Sequence, residues 1–194
     1  MPTKKRIKKV EKVLSGRIAD LRVVLEEVKN THNASAVVRT CDAAGIQYLD
    51  IITSSGDPFP VNEAISTRAE KWLQFNYYSS PSECLNSLKQ KGFTILATSL
   101  NEKAKSYIDL DYTKPAAIIF GNEADGVSPE ARGLADHFIR IPMAGMAQSL
   151  NLSVSVGIVL YEALRQREAC PSFRPAGLEQ ADFDHFYKKW LKID

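Results

Sequence analysis

A chain of 194 residues, 44% hydrophobic and 25% charged, has ordinary globular composition and enough length to bury one sizeable core. Its formal net charge of +2 is too small to demand a nucleic-acid partner, and no apolar run reaches membrane-spanning length or forms a signal-peptide core. Cys41, Cys84 and Cys170 are odd in number and far apart, which fits neither a disulfide framework nor a metal site and predicts a reduced, cytoplasmic protein with no membrane association.

In chain order, the first segment reads as a basic helix. Lys4, Lys5, Arg6, Lys8, Lys9 and Lys12 meet only Glu11 there, a face that attracts phosphate backbones or is simply solvated. Leu21 to Val28 reads as a strand, and Asn33 to Ala44 as a helix that Gly45 stops, with Asn33 a natural N-cap. Tyr48 to Thr53 is a second strand, followed by a loop over 54–58 and a helix from Glu63 to Trp72. Ser80-Pro81-Ser82-Glu83 is a helix start with Ser80 as N-cap, Pro81 in the first helical position and Glu83 closing a capping box. That helix ends near Gly92.

Phe93 to Thr98 and Ala116 to Phe120 are continuous apolar runs of the kind a parallel sheet buries on both faces. Ser128-Pro129-Glu130 opens another helix, and His137 to Ile141 supplies a strand that Pro142 ends. A flexible turn through Met143, Ala144, Gly145 and Met146 leads to Gln148, Ser149 and Asn151 at the mouth of an apolar helix, Leu150 to Leu164. Its apolar residues fall on more than one face, so the helix is predicted to be buried nearly all round. After Cys170 come a loop and a helix from about Leu178 to Leu191.

Alternating strands and helices predict an α/β three-layer sandwich around a mostly parallel sheet, with ligands gathered beyond the carboxyl ends of the strands. Thr98-Ser99, Gly121-Asn122-Glu123 and the chain from Pro142 onward all follow buried strands and are expected to converge. GxGxxG, GxxxxGK[ST] and GxSxG are absent, which removes the usual support for a Rossmann dinucleotide site, a P-loop and a hydrolase elbow. His32, His137 and His185 lack ligand-like spacing, so no metal is expected.

Three ordered stretches carry a resemblance. They are NASAVVRT from Asn33 to Thr40, IFGNEADGV from Ile119 to Val127, and Ile141-Pro142-Met143 with QSLNLSV from Gln148 to Val154. Together they resemble the three motifs of the SpoU/TrmH branch of the SPOUT RNA methyltransferases, over roughly Leu21 to Arg167, and are most similar to the transfer-RNA guanosine-18 2′-O-methyltransferases. The resemblance implies an S-adenosylmethionine-dependent enzyme that methylates a ribose 2′-hydroxyl of structured RNA. It also implies a homodimer and a deep C-terminal trefoil knot, a topology that general folding rules would have excluded. On this basis residues 1–170 are expected to form the methyltransferase domain, basic helix included, and 171–194 a helical tail. The tail is short for a transfer-RNA-specific member, which leaves guanosine-18, a wobble-position ribose and a ribosomal-RNA ribose open as targets, beside a non-catalytic RNA-binding assembly factor.

The same matching implies catalytic roles for Arg39, Asn33, Glu123, Ser149 and Asn151, and methyl-donor contacts from Thr98, Gly121, Ile141, Met143 and Leu150. A ribose hydroxyl is a poor nucleophile near neutral pH, so its methylation needs alignment, a proton acceptor and exclusion of water. Arg39, normally always protonated, suits a bidentate grip on the phosphate beside the ribose better than a literal general-base role. Each residue also has a duller reading. Arg39 can pair with Asp42, Glu123 can be a turn residue, Ser149 can cap the last helix and Thr98 can end a strand. Further phosphate contacts can come from Arg68 with Lys71, Arg165 with Arg167, and Lys188, Lys189 and Lys192, with Trp72, Tyr77 or Trp190 to stack on bases.

Overall fold

Strands β1 (Leu21–Glu26), β2 (Tyr48–Ile52), β3 (Gln74–Tyr78), β4 (Thr94–Thr98), β5 (Lys105–Ser106), β6 (Ala116–Phe120) and β7 (His137–Arg140) form one sheet in the order β3-β2-β1-β6-β4-β7-β5. Every pairing is parallel, so the expected mostly parallel sheet is wholly so. These come from a computed structural model that describes residues 2–101, 103–173 and 177–193. The helices are α1 (Lys4–Ser15), α2 (Thr31–Ala43), α3 (Glu63–Ser66), α4 (Pro81–Gln90), α5 (Pro129–Leu134), α6 (Leu152–Ala169) and α7 (Gln180–Leu191).

Alternation along the central strands sorts side chains into two apolar layers. Leu21, Val23 and Leu25 of β1, with Ala116, Ile118 and Phe120 of β6, meet Val37, Val38 and Cys41 of α2 and Val156, Val159 and Leu160 of α6. The residues between them, Val24, Ala117 and Ile119, meet Cys84, Leu85 and Leu88 of α4 and Ala131 of α5. The three-layer arrangement follows, with each fully buried Val, Leu or Ile contributing roughly 1.5–3 kcal/mol against the entropy of ordering the chain. A third cluster lies outside both layers. Val10 and Leu14 of α1 pack with Phe186, Trp190 and Leu191 of α7 over Tyr48.

Several expectations are corrected. β3 and the two-residue β5 were not legible as strands. The helix from Glu63 to Trp72 is instead α3 and a 3-10 turn (Ala69–Trp72), parted by Thr67 and Arg68 at φ 55 and 65, where the left-handed backbone ends an α-helix. Helix α2 starts at Thr31, capped by Asn30 rather than Asn33. Ser80 caps α4 as expected, but Glu83 reaches back to the N–H and hydroxyl of Ser79 rather than to Ser80. Helix α6 runs on to Ala169 and is not buried all round, for Val154 and Tyr161 are 48% and 54% exposed.

Among the cations considered for RNA, Arg167 is structural. Its guanidinium, 4% exposed, donates to Asp20 Oδ1 at 2.6 Å and to the carbonyl of Tyr112 at 2.8 Å, so it clasps the end of α6 to the chain before β1 and β6. Arg165 pairs with Glu162, and Arg68 and Lys71 with Glu63. Trp72 and Trp190 pack edge to face at 5.3 Å and are not free to stack on bases, whereas Tyr77 is 56% exposed. Lys188, Lys189 and Lys192 are exposed.

Candidate active site

The carboxyl ends of β6, β4 and β7 lie side by side, and the loops that leave them enclose a cleft of about 750 Å³. That volume suits a nucleoside-sized ligand. Thr98 supplies one wall, with its hydroxyl tied back to the carbonyl of Ile119 at 3.1 Å. Gly121 and Glu123 come from the loop after β6, and Ile141, Met143, Ser149, Leu150 and Asn151 from the loop after β7.

The loop after β6 is built around two glycines and Asn122. Asn122 Oδ1 accepts from the N–H groups of Ala124 and Asp125 at 2.9 and 2.8 Å, and Gly126 turns the chain at φ 67. The backbone of Gly126 and Val127 then folds directly over Gly121, occupying the space a Cβ there would need. Thus Glu123 projects from a tight, self-braced turn. The loop after β7 is of another kind. Among the described residues, no backbone N–H between 143 and 150 donates a hydrogen bond within the chain, which leaves a run of main-chain donors available to a ligand.

Asn33 does not line the cleft, yet it joins the three sequence motifs. Its amide nitrogen donates to Glu123 Oε1 at 2.5 Å, and its amide oxygen accepts from Asn151 Nδ2 at 2.9 Å. A carboxylate only accepts, so the Glu123 contact fixes which way the Asn33 amide points. Asn151 in turn caps α6, its oxygen accepting from the N–H and hydroxyl of Ser153 at 2.9 and 2.7 Å. Asn151, not Ser149, is therefore the cap. Glu123, Asn33 and Asn151 form one continuous chain of hydrogen bonds from the loop after β6 through α2 to the mouth of α6.

Arg39 is the expected catalytic residue that the site does not gather. It is exposed on α2, does not line the cleft, and has no hydrogen-bond or ion-pair partner among the described residues. The alternative pairing with Asp42 does not form; Asp42 is taken by the buried Arg17. Lys103, Arg132 and Arg140 line the cleft without having been singled out. Arg140, the last residue of β7, donates from Nε to the carbonyl of Ala104 at 3.2 Å and ties the loop after β4 to the sheet. Glu26 was also missed. Buried at the end of β1, it accepts from the N–H of Ser128 at 2.9 Å and anchors the far end of the Gly121 loop.

A family model described as the SpoU rRNA Methylase family matches residues 20–161, most of the chain. The chain belongs to the SpoU methylase family. Among curated relatives, this SpoU family chain is 44% identical to a tRNA (guanosine(18)-2′-O)-methyltransferase of Aquifex aeolicus, covering 98% of this chain and 90% of the relative. It is 40% identical to the enzyme of that name from Thermus thermophilus, covering 98% and 97%. In structure it superposes on the A. aeolicus TrmH/SpoU tRNA modifying enzyme with a TM-score of 0.89, over 97% of this chain and 95% of that one. A more distant SpoU methyltransferase, AviRb from Streptomyces viridochromogenes, solved in complex with AdoMet, is 27% identical with a TM-score of 0.70, over 81% of this chain and 64% of that one.

The hydrogen-bond chain gives a direct test of the SpoU site. Asn33→Asp replaces a donor with a second carboxylate against Glu123, and two like charges in contact disfavour joint ionisation. Methyl transfer is expected to fall on the order of tenfold at pH 8. It is expected to recover as the pH is lowered and a shared proton restores the hydrogen bond. A pH profile parallel to that of the wild type would refute the bridging role.

Proposed function

We propose that this protein transfers the methyl group of S-adenosylmethionine to a ribose 2′-hydroxyl of structured RNA, with guanosine-18 of the transfer-RNA D-loop as the target. The observation that carries this reading is the hydrogen-bonded chain from Glu123 through Asn33 to Asn151, which joins all three motifs beside a nucleoside-sized cleft. The name shared by relatives at 44% and 40% identity over nearly their full lengths supports the choice of nucleotide.

The residues present fit the donor. Leu150 and Ile141 offer apolar surface, the 143–150 backbone offers unpaired N–H groups, and Thr98 and Gly121 complete the walls. Bound there, S-adenosylmethionine supplies an electrophilic methyl group. The chain's own residues do the rest. Glu123, held by Asn33, keeps one carboxylate oxygen for a ligand, Ser149 supplies a hydroxyl at the cleft, and Asn151 fixes the loop that carries it. Arg39 grips the phosphate beside the target ribose with its guanidinium fork.

We infer a homodimer. Val154 and Tyr161 leave an apolar stripe on α6, and the unpaired Arg39 lies on α2, which packs against α6 with Thr40 close to Gly157. A second copy laid on that face would cover the stripe and set Arg39 at a subunit boundary. The same reading includes a trefoil knot made where the 141–151 segment passes the loops after β4 and β6. It places a catalytic unit at 1–170 and a tail at 171–194, of which 174–176 and 194 lie outside the described residues. It also places the protein in the cytoplasm. Among the described residues, no helix is long and apolar enough to cross a membrane, and no group of side chains is arranged to hold a metal ion.

The test is methyl incorporation from labelled S-adenosylmethionine into an unmodified transfer-RNA transcript, followed by mapping of the modified ribose. Incorporation confined to position 18 is the expected result. Labelling of ribosomal RNA alone, or at another transfer-RNA position, would overturn the assignment.

A further inference from the structure

A second cavity, about 440 Å³, opens along the β1-β2-β3 edge of the sheet, bounded by Arg22, Tyr48, Asn76, Tyr77, Tyr78, Lys91 and Asp182. Arg22 lies near the start of β1 and Tyr48 at the start of β2, whereas the active-site cleft lies beyond the strands' carboxyl ends. The side chain of Arg22 is 10% exposed, with its guanidinium held 4.0 Å over the Tyr48 ring and 5.3 Å from that of Phe93. Its nearest carboxylate oxygen, Asp50 Oδ2, is 3.5 Å away, and among the described residues the Arg22 side chain makes no hydrogen bond. Nε is buried without a partner.

A nine-tenths buried arginine clamped between rings with its donors unspent is costly unless something fills them. Asp50 fills them only in part. Its Oδ2 pairs with the guanidinium at that 3.5 Å without a hydrogen bond, while its Oδ1 accepts from Asn76 at 2.9 Å and from Tyr78 at 3.4 Å, so the fork keeps donors that no carboxylate takes up. At the rim, exposed Lys91 has no ion-pair partner among the described residues, and Tyr77 stands out at 56% exposure on the edge strand. Asp182, the acid in the lining, accepts from the Tyr48 hydroxyl.

We propose that this cavity is a phosphate site for the RNA backbone, with Arg22 and Lys91 as its cations, so that the substrate is held at a second point remote from the methylated ribose. This rests on the RNA-directed reading above. Charge favours RNA over a free anion, because the cavity borders the α1–α7 layer. Lys4, Lys5, Lys8, Lys9 and Lys12 are exposed there on α1, and Lys188 and Lys189 on α7.

The experiment measures binding of an unmodified transfer-RNA transcript over a range of salt, S-adenosylmethionine binding, and methyl incorporation, for the wild type, Lys91→Glu and Arg22→Lys. Lys91 is on the surface, and lysine at 22 keeps the charge beside Asp50 while losing the fork. Both variants are expected to bind the transcript about fivefold more weakly, with the slope of log affinity against log salt reduced by about one for Lys91→Glu and donor binding unchanged. Wild-type affinity and slope in both variants, with methylation intact, would overturn the second site and leave the proposed activity standing. Titration with inorganic phosphate and guanosine monophosphate separates the sources. Lys91-dependent binding of either with no change for the transcript would overturn the RNA assignment. A wild type that neither binds nor methylates the transcript would remove both.

Discussion

Replacing Arg39 with alanine is expected to lower methyl transfer about a thousandfold while leaving the affinity for S-adenosylmethionine within about twofold of the wild type. The split follows from where the side chain lies. Arg39 takes no part in lining the cleft and has no partner among the described residues whose loss would disturb the fold. On the proposed reading, its removal costs only the contact to RNA. Arg39→Lys separates the possible roles, because lysine keeps the charge and loses the planar fork. A lysine variant as poor as alanine points to bidentate recognition, and one restored to within tenfold points to charge alone. Single-turnover rates with saturating donor are the measurement. Full turnover of the alanine variant would end any catalytic role for this residue.

Gly121→Ala is expected to destabilise the protein by about 3 kcal/mol or more and to abolish donor binding. A Cβ at this position would sit 1.9 Å from both the carbonyl carbon and oxygen of Gly126 and 2.2 Å from the Val127 nitrogen. All three are backbone atoms, so no side-chain rotation can make room. The turn that carries Glu123 must open, and with it goes the contact to Asn33. Gly133 in α5 is the control, for nothing lies within 4 Å of the Cβ it would gain, and alanine there is expected to be neutral or slightly stabilising. Thermal melts and donor titration of the two variants decide the matter. A Gly121→Ala protein that melts with the wild type and binds the donor would contradict this account of the loop.

Central strands announced themselves because burial on both faces leaves unbroken apolar runs such as AAIIF at β6. β3 did not. As an edge strand it is only half-buried, and its QFNYY mixes polar and aromatic residues as a loop also can. The break inside Glu63 to Trp72 was hidden too, since Thr67 and Arg68 carry no glycine-like mark of a left-handed turn. At the site, the residue types and their order were readable, as was their convergence beyond the strands. The partners were not. Asn33 has the composition of a cap, and only the placement of Asn30 one turn earlier frees it to bridge Glu123 and Asn151. Arg167 likewise reads as a surface cation until the chain returns Asp20 and Tyr112 to it. Such pairings lie between 55 and 147 positions apart, beyond the reach of local pattern.

The packing of α1 on α7 also sets an order of events during synthesis. Val10 and Leu14 leave the ribosome long before Phe186 and Trp190, which cover them. Until then the amino-terminal helix has an oily stripe and no lid, however complete the sheet has become. A ribosome-bound chain halted just before Gln180 should therefore have a protected sheet and a first helix still open to proteases.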